Sequence, residues 1–480
     1  MSILSDSPQQ VAQELKQFIK ANAVTNKQAE IGVKYYNGQH DILDNRIFWI
    51  DENGRLQEDK SASNIRIPHQ FMTELVDQKV QFLLSNGIKP VADEAADGLQ
   101  ALLDEYYNED FMQSVEDLIT NASQKGFEYL YAQADATGKV QFIVADGLKI
   151  YPLTDSMGNV VKILRVWSED VKIDNRSVTL THAELYDQAT VTYFIQQGNA
   201  NFELDPSMQP NPRPHVINTV VIGNEVTQQG RGFGTIPFYR FQNNIAEKTD
   251  LEPIKPLIDD YDLMDAFMSN NLQDMADAIY VFRGEADMDA AEMRMNIKAK
   301  KGVITGDNNY DFDMKTYNIP VEGRRTKMDI DRQNIYKFGM GVDSLQVGDG
   351  NITNVVIMSR YELLNMKANK LETRVRALLK WVNQLVINDI NRINGTAYDP
   401  ADVTFEMERK MLINEKDNAD TKKTEADTLS VSIQVLLSVA PYIDKETMLR
   451  QIADKFDFDY EEVANRLETQ EYGNNGAEID

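Results

Sequence analysis

From Ile357 to Leu385 the apolar positions Ile357, Tyr361, Leu364, Ala368, Leu371, Val375, Leu378, Val382 and Leu385 fall four and three apart without a break. Only an α-helix gathers such positions on one face. No proline interrupts the run before Pro400, and Asn394-Gly395 supplies a stop. The spacing predicts a helix of about 40 residues and about 60 Å. Val356, Leu363, Leu379 and Ile387 make the opposite face apolar as well. Burial against several partners is therefore expected, rather than the single seam of a coiled coil.

What precedes this spine narrows the choice further. Residues 244–284 carry apolar positions at helical spacing (Tyr261, Leu263, Met264, Met268, Leu272, Met275, Ile279), with Pro253 and Pro256 where a helix starts. A short insert follows, with an extended Ile279-Tyr280-Val281-Phe282, a short helix over 290–301, strand-like GVITG and YDFDMKTYNIP, and Pro320 at its end. A second helix is expected over 324–338, then a Gly/Asp/Asn loop from Val342 to Asn354. A hairpin of helices with a module at its tip, a polar loop and a long spine suits one subunit of a ring, with the loop aimed at whatever passes through.

The N-terminal half reads differently. Helices are expected over 8–35, closed near Gly38, over 65–84 after Pro68, and around 98–107 and 110–125. From Phe127 to about Gln242 the pattern alternates apolar with polar and is punctuated by Thr137-Gly138 and Met157-Gly158-Asn159, which reads as hairpin-linked antiparallel strands. After Asn414 a charged linker leads to helices, with Asp459 and Glu462 spaced as a capping box, and the last residues, EYGNNGAEID, read as a disordered tail.

With 480 residues and 42% apolar content the chain can bury cores in about three domains. No apolar run approaches the roughly 18–20 residues of a membrane span, and MSILSDSPQQ lacks signal-peptide regions. Without cysteine there are no disulfides or thiolate sites. Synthesis in a reducing cytoplasm fits. The net charge of -27 argues against a conventional nucleic-acid binder, which shows a basic footprint. It is compatible with a wall past which DNA slides without being gripped.

No catalytic set emerges. The four histidines (His40, His69, His182, His215) are not paired at i, i+4, and no phosphate loop GxxxxGK[ST] occurs. Gly230-Arg231-Gly232-Phe233-Gly234 reads as turns between strands. Asp307, Asn309, Asp311 and Asp313 have part of a calcium-loop spacing, but Phe312 stands where glycine is required. Asp259, Asp260, Asp262 and Asp265 read as a solvated or ring-lining acidic face rather than a nuclease centre. Arg360, Lys367 and Arg374 recur every seven residues as a solvated or subunit-facing stripe. No metal site and no cofactor are expected.

Four stretches together carry a resemblance: Tyr35-Tyr36-Asn37-Gly38-Gln39-His40-Asp41-Ile42-Leu43, the segment from Asn64 to Gly87, Leu257-Ile258-Asp259-Asp260-Tyr261-Asp262, and Ser269-Asn270-Asn271 with Asp274. In their order and spacing, over residues 30 to 470, the chain resembles tailed-phage portal proteins of the SPP1-like class. It departs from them after the polar loop. A small Ser-Gly turn is common there, and this chain has Asn351-Ile352-Thr353-Asn354-Val355-Val356.

The resemblance implies an α+β, predominantly helical portal fold that assembles as a ring of typically twelve subunits at one capsid vertex. Residues 1–245 would form the wing, β-rich over 127–242. Residues 246–279 and 322–341 would be stem helices, 280–321 the clip, 342–354 the tunnel loop, 355–413 the spine and wing return, 414–471 the crown and 472–480 a tail. It implies no enzymatic activity. Genomic double-stranded DNA would pass through the ring during packaging and ejection. The terminase large subunit, a head-completion or adaptor protein, and the scaffolding and major capsid proteins would be partners, with no membrane. The expected location is the virion, after synthesis in the host cytoplasm. Gln346, Asp349, Asn351, Thr353 and Asn354 would line the channel, with Gln346, Asn351 and Asn354 as uncharged donors. Arg294, Lys298, Lys300, Lys301, Arg324, Arg325 and Lys327 are candidate basic contacts of clip and stem. The readings weighed beside this one are a metal-dependent DNA-processing enzyme and a minor capsid or adaptor protein.

Overall fold

The computed structural model describes residues 7–22, 27–51, 53–60, 62–135, 137–173, 176–222, 225–274, 279–283, 311–315, 320–343 and 354–409, with scattered positions from 423 to 450. The fold is mixed α+β, and among the described residues helices hold the larger share. The chain divides into two compact units, one of residues 1–346 with 360–411 and one of 347–359 with 412–480. In the second unit the described positions between 423 and 450 are mostly helical, and the Ser432 hydroxyl donates to the Thr428 carbonyl at 2.8 Å.

The first unit is built around an antiparallel sheet whose central strands run in the order β10 (Glu203–Leu204), β9 (Thr190–Gln197), β8 (Arg176–Tyr186), β7 (Val160–Ile173) and β6 (Ile150–Thr154). Successive side chains on a strand point to opposite faces, and both faces here are covered. Leu164, Ala183, Leu185 and Phe194 meet Val11, Ala12 and Leu15 of α1 (Pro8–Asn22). Ile163, Tyr186 and Val191 meet Phe127, Tyr129 and Phe238. The latter come from a three-stranded sheet of β14 (Phe238–Gln242), β4 (Phe127–Ala134) and β5 (Val140–Ala145).

The single helix expected over 8–35 is resolved into two with different partners. Helix α1 lies on the large sheet, while α2 (Lys27–Tyr36) packs on α5 (Glu109–Lys125). The approach is close because Gly32 has no side chain: a Cβ there would fall 1.9 Å from the Gln124 carbonyl oxygen. Helix α5 begins where Asn108 accepts from the Phe111 amide and ends at Gly126, whose φ of 91° suits glycine.

Helix α3 (Phe71–Leu83) and α4 (Leu99–Tyr106) fall where the sequence placed helices. The helices on either side of the insert are α6 (Lys255–Asp274) and α7 (Val321–Gly339), packed on one another. Within the insert, Ile279–Arg283 pairs antiparallel with Asp311–Lys315. The expected helix over 290–301, the GVITG strand and the calcium-like positions before Asp311 lie outside the described residues.

The spine is α8 (Asn354–Asn394), 41 residues closed by Gly395 at φ 67°. Leu364, Ala368, Leu371, Val375, Leu378, Val382 and Leu385 are buried as their spacing predicts, and so are Leu379, Ile387 and Ile390 from other faces. Its far end is tied down by Asp389, which accepts from Tyr106, the Val140 amide, Arg231 and Arg392 at 2.8–3.1 Å. The chain then returns as β17 (Val403–Glu406) to pair with β3 (Lys89–Ala92), a pairing across about three hundred residues that local pattern does not encode.

Candidate functional site: the root of the helix pair around the insert

The acidic residues of α6 are paired within the chain, with Asp262 buried and Asp259 and Asp260 partly exposed. Asp262 has no exposed side-chain surface. Its Oδ2 meets His40 Nδ1 at 2.7 Å, and its Oδ1 accepts from the His69 amide at 3.0 Å and meets His69 Nδ1 at 2.8 Å. His40 Nε2 faces the Tyr35 carbonyl at 3.1 Å, and its ring stacks on Tyr35. Burial disfavours the Asp262 anion, but the hydrogen bonds from His40 and His69 outweigh it and hold the carboxyl below its ordinary range.

The neighbouring carboxylates are spoken for in the same way. Asp259 accepts from the Tyr35 hydroxyl and pairs with Lys255 at 2.7 Å, and Lys255 also reaches Asp41 at 2.6 Å. Burial works against the Lys255 ammonium, and its bonds to Asp259 and Asp41 raise it nonetheless. Asp260 faces α7, where it accepts from Lys327; the same ammonium reaches Asp331 Oδ1 at 2.6 Å. Asp265 lies 3.8 Å from His69 Nε2. Each of these carboxylates, which helical spacing alone assigns to water, meets a partner within the chain, from Lys255 one turn away for Asp259 and Lys327 of α7 for Asp260 to His40, 222 residues away, for Asp262.

Around this root the pair is clamped to the rest of the unit. Tyr336 donates to Glu74 of α3 at 2.7 Å, while Arg332 folds the residues just after α7 back onto the helix through two bonds to Asp343 of 2.8 and 2.9 Å. Gln78 of α3 donates to the Val342 carbonyl and accepts from its amide, at 2.8 and 2.9 Å. The first two residues of the expected tunnel loop are thereby fixed. Nearby, Lys79 is buried with its ammonium 2.7 Å from Asp250, and Lys367 reaches the same Asp250 oxygen at 3.0 Å. Burial drives Lys79 down to about 8 against the pull of Asp250, and the second ammonium adds to the drop. Asp250, facing two cations, stays well below the usual carboxylate range despite its own burial.

Two members of the expected seven-residue basic stripe therefore point inward. Lys367 joins the Asp250 centre and donates to the Gly339 carbonyl at 2.9 Å, and Arg374 donates to Gln242 at 3.2 Å. Of the expected stem cations, Lys327 is held between the two helices, Arg325 is exposed, and Arg324 has a buried Nη1 without a partner. Gln346, Asp349, Asn351, Thr353 and the basic set Arg294, Lys298, Lys300 and Lys301 lie outside the described residues, as do the tail and most of the expected crown; Asn354 is the first residue of α8. Among the described residues no group of three or more acidic or histidine side chains is placed to hold a metal ion, and no helix is long and apolar enough to cross a membrane.

Sequence reasoning missed His40, His69 and Asp262 as a working set, although their segments were the ones that carried the resemblance. The four quoted stretches converge here: Tyr35 on Asp259, His40 and His69 on Asp262, and the Ile65 amide on Asn270 Oδ1 at 2.7 Å. Their shared spacing is the trace of one joint.

Comparison with known proteins bears on the whole chain. It is 24% identical over 456 residues to the portal protein of Bacillus phage SPP1, covering 94% of this chain and 87% of that protein. It is 23% identical over 445 residues to the portal protein of Clostridium phage phiCD119, covering 90% and 93%. Among solved structures it is similar to a chain in the neck of an empty GTA particle computed with C6 symmetry, at 12% identity and a TM-score of 0.43, covering 82% of this chain and 91% of that one. The family described as phage portal protein, SPP1 Gp6-like, matches residues 15–460, and the chain belongs to that family.

Proposed function

We propose that this portal protein works as one subunit of a ring at a single capsid vertex, through which genomic double-stranded DNA is packaged and later ejected. The family is structural and non-enzymatic, and its members are virion components. In this reading α6 and α7 are the stem, the insert between them is the clip that docks the terminase large subunit and then a head-completion protein, and residues 342–354 are the tunnel loop. The β-rich region with the N-terminal helices and spine forms the wing, and the helices after 414 form the crown.

The observation that carries the reading is the locked root. A conduit that bears packaging forces needs its channel helices fixed to the bulk of the subunit. Here α6 is pinned by His40, His69, Tyr35 and Asp41, α7 by Glu74, and Val342, just beyond α7, by Gln78. The loop that follows α7 departs from a fixed point, so it can be held at the axis while the insert reaches outward.

Negative-stain images and native mass spectrometry of the purified chain test this. Rings with a central hole are expected. A persistent monomer across concentrations and salt conditions, in the presence of DNA and without it, would overturn the proposal. Replacing Gln346, Asn351 and Asn354 together by alanine is expected to change packaged DNA length or retention while rings still form.

A further inference from the structure

The strands β1 (Phe48–Ile50) and β2 (Leu56–Glu58) pair with each other and, among the described residues, with no third strand. All six residues are exposed. An isolated two-stranded sheet is marginal in water, so this one calls for a cover. The register sets Ile50 opposite Leu56 and Phe48 opposite Glu58. Phe48, Ile50 and Leu56 therefore share a face, and they are 51%, 69% and 69% exposed. Trp49, on the other face, is 52% exposed. Phe48, Ile50 and Leu56 together leave roughly 350 Å² of apolar surface on one face, within the size range that often marks an interaction site.

The hairpin is stiff at its base. The Asp59 amide donates to the Ile47 carbonyl at 2.8 Å, Arg46 pairs with Glu58 at 3.1 Å, and Asn64 donates to the Asn45 carbonyl at 3.0 Å. The bond from the Ile65 amide to Asn270 ties it to α6. Its charge also points outward. Arg55 and Lys60 are exposed and form no ion pair with the described residues, in a chain whose net charge is -27, whereas the Arg66 guanidinium donates to the Leu43 carbonyl. Unpaired cations beside an apolar face fit a partner surface that is apolar and acidic.

This chain carries such a surface. On α7, Glu322, Thr326, Asp329, Ile330 and Gln333 are exposed along one helical face. Ile330 is 48% exposed, and neither Glu322 nor Asp329 pairs with a cation among the described residues. On α6, Asp262 accepts from the His69 amide of the segment that bears the hairpin, while Asp260 pairs with Lys327 of α7. At 100° per residue these two positions lie about 160° apart. Hairpin and acidic face are thus on different flanks of one subunit. Two unlike, complementary patches on different flanks make a head-to-tail contact, which closes into a ring when the rotation allows.

We infer that the β1–β2 hairpin is a bridging arm whose apolar face docks on the outer face of α7 in the next copy of this chain, with Arg55 and Lys60 toward Glu322 and Asp329. The inference rests on the ring reading above. The absence of cysteine makes the test clean. A chain carrying Ile50→Cys and Ile330→Cys is expected to give, on mild oxidation of its rings, a ladder of covalent oligomers on a non-reducing denaturing gel, which neither single variant gives. Ile50→Glu with Leu56→Glu is expected to lower the ring fraction at least about tenfold and leave the circular dichroism and melting of the subunit unchanged, since both side chains are already in water. Arg55→Glu is expected to weaken assembly, and Asp329→Arg in the same chain to restore it. Wild-type rings accompanied by an unlinked double-cysteine chain, or by undiminished rings from the double-glutamate chain, overturn the docking and leave the ring reading standing. A wild-type chain that stays monomeric overturns both.

Discussion

Asp262 shows how one residue sets the pH dependence of the root of the α6–α7 pair. Its folded carboxyl lies below the ordinary range, so its contribution to stability is complete above the unfolded value of about 3.9 and is lost as pH falls through the lower folded value. Asp262→Asn is therefore expected to melt well below wild type at pH 7, with the gap narrowing only below about pH 4; thermal scans from pH 7 to 3 measure it. A constant gap down to pH 3 would mean that the carboxylate charge plays no part. The Lys79–Asp250–Lys367 centre makes a sharper contrast. Asp250→Asn leaves two ammonium groups facing each other without their carboxylate and is expected to cost about 3–5 kcal/mol. Lys79→Met leaves Asp250 paired with Lys367 at 3.0 Å and is expected to cost only about 1–2 kcal/mol. Denaturant titrations of the two variants decide the order, and equal losses would contradict the shared-carboxylate account.

At the scale of elements, the helix pair stands on contacts that allow no added atom. Gly32→Ala would put a Cβ 1.9 Å from the Gln124 carbonyl oxygen, a backbone atom of α5 that cannot step aside. Helix α2 would have to lift, taking Tyr35 and its bond to Asp259 with it. We expect a loss of about 3 kcal/mol, read as a lower melting temperature, together with faster hydrogen exchange in α6. The elements themselves were largely legible in the sequence because each obeys a local period. The spine was evident from its four-three spacing, α6 and α7 from theirs, and the sheets from alternation around Thr137-Gly138 and Met157-Gly158-Asn159. What escaped was set by distant partners. Nothing near Asp262 announces His40, nothing near Lys367 announces Asp250, and the three-residue strands β1 and β2 are too short for any periodicity to register. The resemblance worked where periodicity did not, because it weighed residues from separate segments together.

For the whole molecule, charge is the property that ties structure to the proposed role. Each subunit carries a net -27, and the root of the α6–α7 pair spends its cations internally: Lys255, Lys327 and Arg332 are all bound to carboxylates. Duplex phosphate approaching such a surface meets repulsion within a Debye length of about 8 Å at physiological salt, and few cations near the root are left to replace its counterions. A protein that grips DNA through several phosphate contacts loses affinity steeply as salt rises, because each contact releases counterions. Assembled rings of this chain are expected to behave otherwise. Titrated into a labelled linear duplex, they should bind more weakly than the ~10⁻⁶ M end of ordinary non-specific binding, with little change in signal between 50 and 200 mM salt. Fluorescence anisotropy measures both quantities in one series. Tight binding with a steep salt slope would show a basic footprint on the channel wall, and DNA would then be held in the ring rather than passed through it. Weak, salt-insensitive association is what a passage for moving DNA requires, since every deep contact would be a barrier to the next step.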